Sequence, residues 1–300
     1  HRQVSHLREA EHHDRVADRL HVHGQAVRAR VHQPQQAVGE RRIGGDQLLH
    51  PVEVDVGTVH LGHQLHGPES WFDPFSIDKA YQDNNSGTFQ FLTPGFTITF
   101  RDALVMMIIV SDNTCTGKVV DIVGLDAINA YTRRVGMMNS THRFNIPPKT
   151  GRDHTLEQAN TTTPVDVGRL LELILQGTTD AGVAAKLGVT TDLCRLALDI
   201  LLWQRMSSRL PNLLPSEAQV AHKTGTGVLG RNNNDAGIVF QGNTPLFILT
   251  VYTEHLPVNM PDGTSGYHWA GHLIARMAKA CYDALSDPAK TEGRAVPAAV

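Results

Sequence analysis

Two short polar motifs hold the residue types from which a reactive site could be built. The tripeptide Ser-Asp-Asn at 111–113 follows directly on the apolar run 103–110, and Lys-Thr-Gly occupies 223–225. Burying such polar groups costs a few kcal/mol each unless hydrogen-bond partners are supplied. Serine hydroxyls and lysine amines are also groups that enzymes use to transfer protons and acyl groups. These side chains therefore either satisfy one another in a structural network or line a cleft that holds a polar ligand.

The elements around the first motif are predicted to be helical. A turn at Pro94-Gly95 and a short strand over 97–100 precede a helix that begins near Arg101. A second helix begins near Asn113 and ends at Gly124. Further helices are predicted over 126–136, over 164–177 with Thr163 as N-cap and Pro164 as first residue, and over 181–206.

The second motif lies where the hydrophobic period changes to two. Residues 218–227, 235–243 and 245–254 alternate like strands and are joined by Gly- and Asn-rich turns. A helix over about 265–287 closes the chain and covers one face of this meander. Helices over about 97–210, then strands over 218–254, then one helix indicate an α+β fold.

The combination of motifs resembles the class A serine β-lactamases and the penicillin-binding proteins, whose site is built from S-x-x-K, S-D-N and K-T-G. The segments that carry the resemblance are SGTFQFLTPGFTITFRDALVMMIIVSDNT, NTTTPVDVGRLLELI and LPNLLPSEAQVAHKTGT. It extends over roughly residues 80–287. It implies a β-lactamase-like fold, in which an antiparallel sheet flanked by helices is joined to an all-helical lobe, and this fold is incomplete at the N-terminus.

The resemblance also implies roles for the residues of the first motif. Ser111 would be catalytic, relaying a proton to the departing ring nitrogen of a β-lactam. Asn113 would bind the carbonyl of the substrate's side chain. Asp112 would orient the turn.

The second motif would supply the other half of the site. Lys223 would be catalytic, providing positive potential for the substrate carboxylate and for Ser111, and Thr224 would hydrogen-bond the same carboxylate. Gly225 would leave the strand edge open to substrate, since any Cβ there would obstruct it. Thr226 would contribute a backbone N–H to the oxyanion hole.

The nucleophile of the family has no clear counterpart. The S-x-x-K tetrapeptide SIDK, Ser76 to Lys79, continues into polar sequence and lies too close to Ser111 for the elements that the family places between them. We interpret SIDK as a coincidence. Upstream, residues 1–66 contain only one serine, Ser5, and no lysine.

The glutamate that activates the deacylating water in class A enzymes is also uncertain. Glu157 is the only candidate in the loop before the TTTP helix, and it lies close to Thr161. With Asn160 it forms E-x-x-N, one residue short of the family's usual Glu…Asn spacing. A surface glutamate and a catalytic one are both compatible with this position.

Residues 1–66 differ in composition from the domain assigned to residues 67–300. They hold 11 of the 17 histidines and no Lys, Asn, Phe, Tyr, Trp, Met or Cys. Such a composition is typical of a GC-rich gene read in a wrong frame, and a disordered His-rich leader is the alternative. In either case the family's first strands would be missing, which predicts an unpaired strand edge in the sheet.

Charge and composition exclude several partners. A net charge of −3 and a pI near 6.6 do not favour nucleic acid, and the apolar run 103–110 is too short for the ~20 residues of a membrane span. The first thirty residues lack the apolar segment of a signal peptide, although the resemblance implies a periplasmic or secreted protein. Three cysteines form no metal or disulfide pattern. The two motifs act through protons and hydrogen bonds, so they imply no metal or cofactor, and we predict a monomer.

These observations predict a class A-like β-lactamase that hydrolyses the β-lactam amide through a serine acyl-enzyme, with its nucleophile segment missing. One alternative is a D-Ala-D-Ala peptidase or esterase of the same fold that binds penicillin. The other is an inert relative that only binds a ligand.

Overall fold

The computed structural model describes residues 20–22, 25–32, 71–82, 86–145, 159–227 and 232–286, the first two ranges by their backbone alone. Glu157 lies outside these ranges. The helices of the described residues are α1 (Lys79–Gln82), α2 (Phe100–Ile109), α3 (Asn113–Val123), α4 (Leu125–Arg134), α5 (Pro164–Gly177), α6 (Ala181–Leu187), α7 (Thr191–Leu202) and α8 (Gly266–Leu285). The strands are β1 (Leu20–Val22), β2 (Gln25–His32), β3 (Pro74–Ser76), β4 (Thr97–Thr99), β5 (Ala218–Thr226), β6 (Asn233–Gln241) and β7 (Thr244–Thr253).

The main sheet is antiparallel, with strand order β1-β2-β7-β6-β5. The register of β5 against β6 sets Lys223 opposite Ala236 and Thr224 opposite Asp235. Within the described sheet β5 is therefore an edge strand. A second, two-stranded sheet pairs β3 with β4.

The strand edge that we expected to be unpaired is paired. Residues of β2 run antiparallel to β7, with Val27 opposite Thr253 and His32 opposite Ile248. The prediction was wrong because it assigned no strand to residues 1–66. The hypothesis that residues 1–66 are not native to this domain remains a prediction.

Helix α8 covers one face of the main sheet. Alternate residues of β7 (Phe247, Leu249 and Val251) are fully buried against Ile274 and Ala278 of α8. These apolar positions of α8 recur at helical spacing, whereas those of β7 recur every second residue. Their burial fastens the terminal helix to the sheet, as the sequence predicts.

The helical lobe covers the opposite face. Ile238 and Ile248 of the sheet are buried against Leu171 of α5 and Leu201 of α7. The hydroxyl of Thr250 on β7 donates to the Pro164 carbonyl at the start of α5, over 3.0 Å. The architecture is therefore α+β, with the sheet between α8 and the helical lobe.

Side-chain caps fix the helix starts close to the predicted positions. Thr99, Asp112 and Thr163 accept the N–H groups of Asp102, Cys115 and Asp166 at the starts of α2, α3 and α5. Because Thr99 caps α2, Phe100 is helical, and the predicted strand over 97–100 ends one residue earlier. Helix α3 ends before Gly124, as predicted.

The prediction of a single helix over 181–206 was wrong, since two helices occupy this segment. Gly188 adopts a left-handed conformation with φ of 75° and terminates α6. Thr190 then caps α7, which ends at Leu202. The following residues, 203–206, form a loop toward the candidate site.

Candidate active site

Ser111 lies in the tight connection between α2 and α3. It has a φ of 55°, in a region that residues other than glycine rarely adopt. The hydroxyl of Ser86 donates to the Ser111 carbonyl over 3.0 Å and helps to hold this conformation. Backbone strain of this kind costs about 1–3 kcal/mol and is found preferentially at functional sites.

The buried carboxylate of Asp112 stabilises this connection through hydrogen bonds to the backbone. It is fully buried and accepts the backbone N–H groups of Thr88, Phe89 and Cys115 at 2.7, 2.9 and 3.1 Å. A Cβ at Gly87 would lie 2.3 Å from its Oδ2. Asp112 thus joins the turn before β4 to the start of α3, in agreement with the structural role expected for it.

Lys223 reaches Ser111 from the edge strand β5. Its Nζ lies 2.8 Å from Ser111 Oγ and 2.6 Å from the carbonyl oxygen of Thr224. The two motifs, far apart in the sequence, therefore meet in one place. This contact is the central geometric feature of the candidate site.

The electrostatic environment makes Lys223 easier to deprotonate than an ordinary lysine. Burial lowers the pKa of Lys223 to about 8, and the nearby guanidinium of Arg209 acts in the same direction. The carboxylate of Asp235 opposes this effect, but the burial dominates. The amine is therefore largely protonated at neutral pH, with a neutral fraction that grows above it.

The remaining polar side chains of the two motifs differ in how they are engaged. Asn113 is the first residue of α3, and among the described residues no hydrogen bond engages its carboxamide. Thr224 is buried, and its hydroxyl donates to the sulfur of Met206 over 3.2 Å. Met206 itself is 38% exposed, so it covers Thr224 from the solvent side.

The end of β5 is held by an arginine that the sequence analysis did not identify. Arg209 is buried, and its guanidinium donates to the carbonyl of Gly225 at 2.9 Å and to the hydroxyl of Thr226 at 2.6 Å. It also donates to the hydroxyl of Tyr267, on α8, at 3.0 Å. No sequence signal marks Arg209, because an arginine in a loop is usually exposed.

A buried pair, His222 and Asp235, was also missed by the sequence analysis, and the Asp235 carboxylate acts on the pKa of Lys223. Nδ1 of His222 lies 2.9 Å from an Asp235 carboxylate oxygen, and both side chains are almost fully buried. The second oxygen of Asp235 accepts the backbone N–H of Leu210 at 3.1 Å. The pair fixes the carboxylate that influences Lys223.

Gly225 is not required by packing within the chain. Its φ is not in the left-handed region, and a Cβ there would lie 3.4 Å from the Cβ of Asn234, close to ordinary van der Waals contact. Packing within the described residues therefore does not explain the glycine at this position. Thr226, at the end of the strand, is exposed.

The SIDK serine lies on a different element from the Ser111–Lys223 contact. Ser76 is exposed on β3, where it pairs with Thr97 of β4, and Lys79 is exposed at the start of α1. This placement favours the interpretation of SIDK as a coincidence.

Asn160, the partner proposed for Glu157, is engaged by the backbone. Its Oδ1 accepts the N–H of Arg143 at 2.8 Å and of Phe144 at 3.2 Å, and its Nδ2 donates to the Phe144 carbonyl at 3.0 Å. The amide thus closes a loop, and its oxygen has little capacity left for a water molecule.

An antiparallel sheet joined to a helical lobe, with a serine–lysine contact where they meet, defines a β-lactamase-like serine hydrolase domain. The family model described as the β-lactamase enzyme family matches residues 66–285, and the chain belongs to this family. No curated protein sequence matches the chain.

Solved structures of the same fold cover most of the chain. A β-lactamase from Sphaerobacter thermophilus DSM 20745 is 25% identical, with a TM-score of 0.60 over 72% of this chain and 74% of that one. PBP-A is 24% identical, with a TM-score of 0.58 over 72% of each chain. The TLA-3 extended-spectrum β-lactamase is 19% identical, with a TM-score of 0.60 over 73% of this chain and 77% of that one. At 24% and 19% identity, PBP-A and the TLA-3 enzyme show only that this chain has the same fold.

Proposed function

We propose that the chain is a class A-like β-lactamase, which opens the β-lactam amide by acyl transfer to a serine and then hydrolyses the ester. The observation that carries the proposal is the 2.8 Å contact between Lys223 Nζ and Ser111 Oγ. A hydroxyl held against an amine of lowered pKa is suited to transferring a proton during acyl transfer.

The first half of the proposed site transfers the proton. Ser111 would pass a proton toward the ring nitrogen as the amide bond breaks, and the contact of its hydroxyl with an amine that is mostly charged at neutral pH supports this role. The carboxamide of Asn113 would hold the side-chain carbonyl of the substrate.

The second half binds the anionic end of the substrate. The ammonium of Lys223 would attract the carboxylate next to the lactam. The hydroxyl of Thr224, which donates to the Met206 sulfur in the free protein, would donate to this carboxylate instead. Gly225 leaves the edge of β5 open, and the backbone N–H of Thr226 contributes to stabilising the oxyanion. All of these steps use protons and hydrogen bonds, so the proposal calls for no metal or cofactor.

A penicillin-binding D-Ala-D-Ala peptidase is the second candidate, and Asn160 favours it. Because the Asn160 oxygen already accepts two backbone N–H groups, water activation next to it is weakened and deacylation would be slow. A solved structure of a PBP-A mutant, 24% identical to this chain, is an acyl-enzyme complex with penicillin G. An inert ligand-binding relative is the third candidate.

The substrate and setting of the reaction follow from the proposal. The ligand is a small β-lactam or an acyl-D-Ala-D-Ala-like peptide that bears a carboxylate. We propose a monomer that acts in the periplasm or outside the cell, where it would confer antibiotic resistance. Among the described helices, none combines the length and the apolar character that crossing a membrane requires.

Two assays separate the candidates. A β-lactamase turns over nitrocefin many times per molecule, whereas a penicillin-binding protein forms a stoichiometric fluorescent adduct with a labelled penicillin and turns over nitrocefin little. A protein that does neither overturns the proposal. Lys223→Ala should reduce either activity at least about tenfold, while the exposed-lysine control Lys186→Ala should remain within about twofold.

A further inference from the structure

We propose that Gln204 is a positioning residue of this site. Its side chain ties the end of α2, which leads into Ser111, to the loop that holds Met206 against Thr224. The inference rests on the proposed function, in which Ser111 and Thr224 act on different parts of the substrate. Gln204 belongs to neither motif and acts through the residues that it holds.

Gln204 turns its side chain inward from a surface loop. It is half-buried, whereas Trp203 and Arg205 on either side of it are exposed. A polar side chain that leaves water in this way loses free energy unless hydrogen bonds compensate for the lost hydration. The two ends of the Gln204 carboxamide obtain these hydrogen bonds from two separate segments of backbone.

The amide nitrogen of Gln204 is bonded to the end of α2. Its Nε2 donates to the carbonyl of Ile108 over 2.8 Å, and the backbone N–H of Arg205 donates to the carbonyl of Ile109 over 2.9 Å. The last carbonyls of a helix have no partner within the helix, so these two bonds satisfy groups that α2 itself leaves unpaired. They fix the backbone just before Ser111, whose φ of 55° closes the connection to α3.

The amide oxygen of Gln204 holds the loop that follows it. Oε1 accepts the backbone N–H groups of Arg205 and Met206 at 2.9 and 3.0 Å. In the loop held this way, the Met206 sulfur accepts the Thr224 hydroxyl at 3.2 Å. Because Met206 is exposed and Thr224 is buried, the position of this loop determines how Thr224 is covered.

One carboxamide therefore connects the two halves of the proposed site. Lys223 and Ser111 join the helical lobe to β5 directly, and Gln204 adds a second connection that runs from α2 through the loop to Thr224. A carboxamide suits this task because it donates and accepts at the same time. A displacement of about 1 Å in a reacting group can slow a reaction about 100-fold, so loosening the end of α2 should slow acylation.

The kinetic test follows acylation of the full chain by penicillin G, measured by mass spectrometry. Losing the tie to α2 in Gln204→Ala should reduce the maximal acylation rate at least about tenfold. Because the same change releases Met206 from Thr224, the penicillin G concentration needed for half-maximal rate should not rise. Lower stability alone would not separate the two quantities in this way. The control Gln241→Ala, at an exposed residue of β6, should change each of them less than about twofold.

Two further variants test the two ends of the carboxamide. Gln204→Glu keeps the shape and still accepts the loop N–H groups, but its carboxylate cannot donate to the Ile108 carbonyl, so its maximal rate should fall as in Gln204→Ala. Met206→Leu, added to Gln204→Ala, should shift the half-maximal concentration less than about twofold, because the loop no longer holds the sulfur against Thr224. A wild-type rate in Gln204→Glu overturns the inference.

Amide hydrogen exchange of the free protein separates the inference from the proposed function. In Gln204→Ala the amides of 109–113 and 205–206 should exchange at least about tenfold faster than in the wild type, while those of β6 and β7 keep their rates. If exchange rises at both segments but the wild type never reacts with a β-lactam, the proposed function is overturned and the hold of Gln204 on Ser111 is supported. If penicillin G acylates Gln204→Ala at the wild-type rate, or if exchange is unchanged, the inference is wrong.

Discussion

The amine of Lys223 and the hydroxyl of Ser111 lie 2.8 Å apart although 112 positions separate them in the sequence. Ser111 is held by the strained connection between two helices, and Lys223 by an edge strand of the main sheet. The contact therefore forms only when the helical lobe and the sheet pack together. The strained backbone of Ser111 and the burial of the Lys223 amine both lower the free energy of unfolding.

Replacing Lys223 by methionine should stabilise the protein and abolish its activity. Burial lowers the pKa of Lys223 to about 8 from an ordinary value of 10.5, so at neutral pH a similar apolar side chain avoids a desolvation cost. We expect a gain of about 1–3 kcal/mol in the free energy of unfolding, measured by urea denaturation at pH 7.

The pH dependence of that gain has a definite sign. Between pH 8 and 10.5 the folded lysine is neutral while the unfolded one still binds a proton, so wild-type stability rises with pH in this window. The advantage of Lys223→Met should therefore shrink across the window. An advantage that stays constant from pH 7 to 10.5 would contradict the lowered pKa.

Replacing Asp112 by alanine should destabilise the protein by about 2–4 kcal/mol. Its buried carboxylate accepts three backbone N–H groups from two different segments, and all three would lose their partner. The matched control is Asp102→Ala, since Asp102 is an exposed aspartate at the start of α2; we expect less than about 0.5 kcal/mol there. Equal effects of the two substitutions would refute the role given to Asp112.

Alanine at Gly225 should leave the fold intact and impair reaction with β-lactams. The new Cβ would approach Asn234 only to 3.4 Å, so thermal unfolding should change little. If substrate lies against the edge of β5, the same Cβ obstructs it, and acylation by a fluorescent penicillin should fall at least about tenfold. Gly168→Ala, on α5 with 3.7 Å to Thr250, serves as the control and should acylate normally.

Much of the fold could be predicted from the sequence because its signals are local. Thr163 before Pro164 marks the start of α5, and alternating apolar residues mark β5, β6 and β7. The break between α6 and α7 was missed because Gly188 occurs within a continuous apolar pattern, where a glycine is also tolerated inside a helix.

The parts of the site that could not be predicted depend on distant contacts. Ser111 and Lys223 were found as motifs, but Arg209 has no motif and acquires its importance only by donating to Gly225, Thr226 and Tyr267. The pairing of β2 with β7 likewise joins segments more than two hundred positions apart, and the composition of residues 1–66 gave no indication of it.

Removing the sulfur of Met206 should strengthen the binding of substrates that carry a carboxylate. In the folded protein the Thr224 hydroxyl donates to Met206 over 3.2 Å, and a substrate carboxylate must displace this contact. Met206→Leu keeps the bulk but offers no acceptor, so the concentration of penicillin G needed for half-maximal acylation rate should fall about two- to fivefold. An ester probe without a carboxylate should be unaffected, and Met138→Leu, at a residue 69% exposed, should change neither. If Met206→Leu instead raises the penicillin G concentration needed for half-maximal acylation rate, Met206 contacts the substrate itself, because only lost packing against the ligand would explain that result.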